Sequence, residues 1–212
     1  MKFLIVKTSA FGDILHVFPV VAYLRQKCPY AQIDWVVEKS FSELVYAHPE
    51  IERTVVLESK KWRCQPWRYR KEIRAFKQEL KKVTYDVVFD LQGNIKSGLI
   101  VATSRARAKV GFSWSCLPER PSGLFTNVKF SIAPGKNIRE DYLSLVQQYF
   151  NDKASFTAPS FLFKLQEELD FPESDKKRIL VCPGAAWGNK RLPLSTLASI
   201  LEKWRGSFIL HG

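Results

Sequence analysis

Short apolar runs and stretches of helical period alternate along the first 150 residues of this chain. Residues 3–6 (Phe-Leu-Ile-Val) form a continuous apolar run, as in a parallel strand covered on both faces. A loop of polar and small residues follows at 8–12. From Asp13 the apolar positions Ile14, Leu15, Phe18, Val21, Ala22 and Leu24 recur at helical spacing as far as Cys28, where Pro29 intervenes. The same signals predict strands over 33–37, 53–57, 87–91, 109–112 and 128–132. They predict helices over 41–47, from after Trp67 to about Val83, over 96–104 and over 137–150, with a Trp/Arg-rich loop at 61–67. Strand and helix alternating through short connections argue an α/β fold with a doubly wound parallel sheet. Ligands of such sheets sit beyond the carboxyl ends of the strands, which singles out the loops at 8–13, 38–40, 58–63 and 92–96.

Residues 151–178 lose the period, contain Pro159 and Pro172, and are expected to be a linker. The α/β pattern then restarts with a strand at 179–182, a loop at 183–192, a helix opened by Pro193 and a strand at 207–210. The expected organisation is a Rossmann-like domain over 1–150, a linker over 151–178 and an incomplete second domain over 179–212. One strand-helix-strand unit does not bury both faces of a sheet.

Composition narrows the class. The 212 residues are 46% hydrophobic and 25% charged, an ordinary globular balance, and no apolar stretch approaches the roughly 20 residues that span a bilayer. No signal peptide is read at the N-terminus. Cys28, Cys64, Cys116 and Cys182 are scattered, as expected of reduced thiols in a cytosolic protein, and with three dispersed histidines they suggest no metal site. Charge is more informative. Between Lys60 and Lys82 ten Lys/Arg face only Glu72 and Glu79, so this segment carries +8 of the net +12. A clustered positive field attracts nucleic acid, anionic lipid or a polyanionic saccharide; a solvated face of one basic helix is the plainer alternative.

Three loops carry candidate chemistry. Thr8-Ser9-Ala10-Phe11-Gly12-Asp13 joins the first strand to the first helix, and its amides are placed to face an anion. It lacks the Gly-Lys-Ser/Thr of a Walker loop and has one glycine where a dinucleotide fingerprint needs three. Asp13 is either a first-turn carboxylate favoured by the helix dipole or a general base at the mouth of the sheet; the second role requires partial burial against Phe11 and Phe18. In Asp90-Leu91-Gln92-Gly93-Asn94-Ile95-Lys96-Ser97 the glycine permits a tight turn, and Lys96 is either a crevice cation or merely exposed. Lys60-Lys61-Trp62-Arg63 places cations beside an indole, suited to a phosphate or carboxylate sugar, and equally to stacking on nucleic-acid bases. The stretch 114–120 adds another loop of aromatic and guanidinium groups.

Taken together, residues 7–16 (Lys-Thr-Ser-x-x-Gly-Asp-x-x-His), 34–38 (Asp-Trp-Val-Val-Glu), 90–97 (Asp-x-Gln-Gly-x-x-Lys-Ser), the Lys-Lys-Trp-Arg cluster and 114–127 with Glu119-Arg120-Pro121 resemble the lipopolysaccharide heptosyltransferases of glycosyltransferase family 9, on the heptosyltransferase I side. Residues 182–185 and 190–193 resemble the opening of the family's donor domain, nearer heptosyltransferase II. The resemblance implies two Rossmann-like domains in the GT-B arrangement. It implies inverting transfer of heptose from ADP-heptose, without metal or other cofactor, to Kdo of the inner core. The family's base falls on Asp13, its acceptor-binding cations on Lys60, Lys61, Arg63, Lys96 and Arg120, and its donor contacts on Ser9, Gly12 and Lys190. Two donor-side hydroxyl residues of the family are Ala185 and Ala186 here, and the family's later Asp-Thr-Gly-x-x-His motif does not occur before Gly212.

The leading expectation is therefore a heptosyltransferase at the cytoplasmic face of the inner membrane, with Kdo-lipid A, ADP-heptose and an anionic membrane surface as partners. The alternative is a truncated, inactive remnant that binds the acceptor without turnover. A nucleic-acid-binding domain is permitted by the charge but not favoured by the motifs.

Overall fold

The computed structural model describes residues 1–133, 135, 137–160, 178–181, 188, 191–203 and 207–210. The chain divides into two compact units, Met1–Leu165 and Gln166–Gly212.

In the first unit six strands, β1 (Lys2–Val6), β2 (Gln32–Glu38), β3 (Arg53–Leu57), β4 (Thr84–Asp90), β5 (Arg105–Phe112) and β6 (Val128–Phe130), form one parallel sheet in the order β3-β2-β1-β4-β5-β6. This is the Rossmann-like order, whose direction of winding reverses between β1 and β4 and opens a crevice at their carboxyl ends. The apolar run of β1 explains its central place. Phe3 and Ile5 point into one core with Trp35, Phe89, Tyr142 and Leu145, while Leu4 and Val6 point into the other with Val88, Leu80, Ile100 and Val101. Val6 pairs with Asp90, so the loops that follow β1 and β4 leave the sheet side by side.

The helices are α1 (Phe11–Leu15), α2 (Phe18–Lys27), α3 (Ser42–Tyr46), α4 (Ser59–Cys64), α5 (Arg70–Lys81), α6 (Ile95–Thr103) and α7 (Ile138–Tyr149). Two differ from the sequence expectation. The single helix expected from Asp13 is broken after Leu15, because Pro19 has no N–H to donate to the preceding turn and instead sits in the first turn of α2. The expected loop at 61–67 begins as helix α4, whose first residue is held from outside: the Glu38 carboxylate accepts the Ser59 N–H at 3.1 Å and also the Ser59 hydroxyl.

Two buried polar groups stiffen the frame around the crevice. The indole N–H of fully buried Trp35 donates to the Lys7 carbonyl at 2.9 Å, locking β2 to the end of β1. Asp34, also fully buried, accepts from Arg53 at 2.9 Å and from the Tyr85 hydroxyl at 2.6 Å, joining β2, β3 and β4.

In the second unit β7 (Arg178–Val181) and β8 (Ser207–Leu210) pair in parallel, and α8 (Leu194–Lys203) connects them in sequence with Leu197 buried.

Candidate active site

The crevice is built by the loops after β1 and β4. Gln92 braces them: its side-chain oxygen accepts the Thr8 and Ser9 backbone N–H groups at 3.0 and 3.2 Å. The Ala10 N–H donates to Asp13 Oδ2 at 3.2 Å. The Thr8, Ser9 and Ala10 amides are thus already engaged by the Gln92 and Asp13 side chains. On the β4 side, buried Asp90 accepts the Gln92 and Gly93 N–H groups, both at 3.0 Å, and the Ser97 hydroxyl at 3.0 Å. Burial pushes the Asp90 carboxyl up, against the pull of Gly93, Ser97, Gln92 and Lys7. Gly93 turns the chain at φ +71°, and a Cβ there would also crowd Pro118 at 3.1 Å and Leu117 at 3.2 Å.

Asp13 lines a cavity of about 350 Å³ together with Lys7, Gln92, Asn94, Cys116 and Tyr142. Its carboxylate lies 3.6 Å from the Lys7 ammonium and is 42% exposed, so a substrate hydroxyl has access to it. Lys7 itself is 3% exposed, donates to the Tyr142 hydroxyl at 2.7 Å and lies over the Tyr142 ring. Burial pulls the Lys7 ammonium down, opposed by Asp13 and Asp90. Burial raises the Tyr142 hydroxyl, and Asp13 and Asp141 add to that. Asp13 as a whole is half-buried. Phe11 is 55% exposed, and Phe18 packs edge-on against Trp35 and His48.

A second cavity, of about 740 Å³, adjoins the first, and Asn94 and Glu119 line both. Ser9, Lys60, Arg63 and Lys96 open onto it. Lys96 is fixed there by Glu38 at 2.9 Å and the Ser59 hydroxyl at 3.4 Å. Lys60 and Arg63 have no carboxylate partner among the described residues. Lys61 and Arg120 do not line either cavity. Lys61 turns to Glu72 at 3.3 Å, Glu58 at 3.6 Å and the Tyr69 ring, and Arg120 is exposed where a 3-10 turn begins. Gly12 is exposed with open space around it. Ala185, Ala186 and Lys190 lie outside the described residues. Among the described residues no group of three or more His, Cys, Asp or Glu is placed to hold a metal ion.

Sequence reasoning did not assign roles to Lys7, Glu38, Gln92 or Tyr142. Glu38 and Gln92 lay inside quoted motifs, and a carboxylate or amide ending a strand was the signal available. Nothing local pointed to Tyr142, which lies 135 positions from Lys7.

A Rossmann-like sheet with a carboxylate and cations at its switch point is a frame suited to an anionic ligand and to proton transfer. The particular family follows from comparison. The profile of glycosyltransferase family 9 (heptosyltransferase) matches residues 73–205. This chain belongs to that family. It is 36% identical to lipopolysaccharide heptosyltransferase 1 of Escherichia coli strain K12 over 136 residues, covering 63% of this chain and 42% of that protein. It is 27% identical to lipopolysaccharide heptosyltransferase 1 of Pseudomonas aeruginosa over 208 residues, covering 96% of this chain and 58% of that protein. The solved structure of E. coli heptosyltransferase WaaC with ADP-2-deoxy-2-fluoro heptose matches with a TM-score of 0.82 and 26% identity, over 100% of this chain and 69% of that one. The chain thus spans about half the length of the two curated relatives.

Proposed function

We propose that this chain provides the acceptor side of an inverting heptosyltransferase that moves heptose from ADP-heptose to Kdo of the lipopolysaccharide inner core at the cytoplasmic membrane face. In this reading residues 1–150 bind the acceptor, 151–178 link, and 179–212 begin the donor-binding domain, with Ala185, Ala186 and Lys190 facing the donor. The observation that carries it is an accessible carboxylate, Asp13, adjoining a cavity lined by Lys60, Arg63 and Lys96.

The cations hold the acceptor's carboxylate. Asp13 takes the proton of the acceptor hydroxyl, whose oxygen bonds to the anomeric carbon as the carbon–oxygen bond to the diphosphate breaks and ADP leaves from the opposite face. Lys7 keeps the Asp13 carboxylate in place and offsets its charge. Negative charge builds on the diphosphate, and Lys190 is the cation assigned to it. Ser9 and Gly12 are assigned to the donor and Arg120 to the acceptor, and Lys61 acts on the acceptor through its field rather than by contact.

The experiment is transfer of heptose from ADP-heptose to Kdo-lipid A. Asp13→Asn is expected to lower the rate by about 10²- to 10⁴-fold, and wild-type turnover in that variant would overturn the assignment. Acceptor binding with no transfer by the unmodified chain would favour the binding-only alternative.

A further inference from the structure

We propose that the face formed by residues 66–77 docks on an anionic lipid bilayer, with Trp67 entering the headgroup layer and the basic stripe of α5 lying along it. Trp67 is 84% exposed, on the turn between α4 and α5. Beside it a groove of about 430 Å³ is lined by Pro66, Trp67, Arg70, Ile73, Arg74 and Lys77. Arg70, Ile73, Arg74 and Lys77 follow one another at i, i+3, i+4 and i+7, so they form a single stripe of the helix. Apolar surface is therefore framed by long cationic side chains whose stems cover it while their heads remain in water.

The charges of this stripe are not neutralised within the fold. Among the described residues neither Arg70, Lys71, Arg74 nor Lys77 has a carboxylate at ion-pair distance. Nearby cations do: Lys61 pairs with Glu72, Lys82 with Glu79, and Arg53 with Asp34 and Glu79. An exposed indole beside an apolar groove, rimmed by unpaired cations, fits the boundary between acyl chains and anionic headgroups. A nucleic-acid surface fits less well, because stacking on successive bases calls for several aromatic platforms along a groove, and Trp67 is the one aromatic among the residues lining this groove.

Position adds to the argument. Arg63 lines the 740 Å³ cavity and Trp67 lies four residues further along the chain. A bilayer docked on this face brings a lipid-anchored saccharide alongside that cavity. This last step rests on the proposed acceptor; docking itself does not.

The test is co-sedimentation of the 212-residue chain with vesicles of phosphatidylcholine alone and of phosphatidylcholine mixed with phosphatidylglycerol. Binding should be at least about tenfold tighter to the anionic vesicles and weaken as salt is raised. The triple variant Arg70→Glu, Arg74→Glu, Lys77→Glu and the single variant Trp67→Ser should each lose about tenfold or more, with unchanged far-ultraviolet circular dichroism. Brominated lipid should quench fluorescence of the unmodified chain more than that of Trp67→Ser. Equal binding to neutral vesicles, undiminished binding by the triple variant, or preference for duplex DNA over anionic vesicles in direct competition would each overturn the proposal. A soluble Kdo oligosaccharide titrated into the unmodified chain separates the two readings: saccharide binding with no vesicle binding sinks docking alone, and vesicle binding without saccharide binding sinks the acceptor assignment alone.

Discussion

Two cations of the crevice, Lys7 and Lys96, and those of α5 are the same residue types in opposite circumstances. Lys7 and Lys96 each have fixed partners, Tyr142 and Asp13 for one, Glu38 and Ser59 for the other. Arg70, Arg74 and Lys77 stand in solvent without carboxylates. A charge taken out of water must be paired and hydrogen-bonded, and pairing also fixes where its atom sits. An exposed charge costs little to keep and contributes mainly to a field that salt screens within about 10 Å. Substitutions in the crevice should therefore act steeply and one at a time, and those on α5 gradually and collectively.

The steepest effect is expected at Asp13, where Asn removes the proton acceptor while preserving shape, with the rate loss of about 10²- to 10⁴-fold given above. Next comes Asp90→Ala. It strands the Gln92 and Gly93 N–H groups around a buried void, while the Ser97 hydroxyl keeps the Asn94 carbonyl at 2.8 Å, and each stranded buried donor costs about 1–3 kcal/mol. Urea unfolding should show a loss of about 3 kcal/mol or more; a loss under 1 kcal/mol, on the order of a single surface change, would mean that the turn does not depend on this carboxylate.

The neighbouring pair Lys60 and Lys61 sharpens the comparison within two adjacent residues. Lys60→Ala should weaken binding of a soluble Kdo saccharide by about tenfold, as expected for one charge-assisted contact. Lys61→Ala should change it by less than about twofold, since its ammonium acts only through a screened field. Equal losses would show that both reach the ligand.

The smallest effect is one of pH. Asp152 holds its carboxyl down at about 2, against an ordinary 3.8, through Lys27 first and then the Ala154 N–H and the Tyr23 hydroxyl. A depressed carboxyl contributes stability that is fully present above 3.8 and is lost as pH falls through 2. Asp152→Asn should therefore lower the melting temperature near pH 5, and the gap from the unmodified chain should close between pH 4 and 2. A gap independent of pH would assign the effect to packing.

Much of the sheet was legible because it rests on local signals. β3 and β8 fall where the apolar pattern predicts, and the βα loops expected at the carboxyl ends of the strands line the two cavities. The helix break after Leu15 was less legible, because the apolar period continues across Pro19 and only the missing N–H betrays the interruption. Lys61 shows how a local misreading spreads to the site. Read as loop, Lys60, Lys61 and Arg63 appear to converge. On helix α4 positions 60 and 63 share a face and 61 turns away from it. The start of that helix is held by the Glu38 carboxylate, 21 positions from Ser59. Lys7 and Tyr142 were invisible for the same kind of reason, since their contact exists only once β1 and α7 share a core.

The central claim is that the cation-lined cavity holds the acceptor while Asp13 acts on it without being needed to hold it. Calorimetric titration of a soluble Kdo oligosaccharide into the chain, its Asp13→Asn variant and its Lys96→Ala variant tests this most directly. The account predicts salt-sensitive binding by the unmodified chain, affinity within about twofold of it for Asp13→Asn, and a loss of about tenfold or more for Lys96→Ala. Binding that disappears in Asp13→Asn but survives in Lys96→Ala would contradict it.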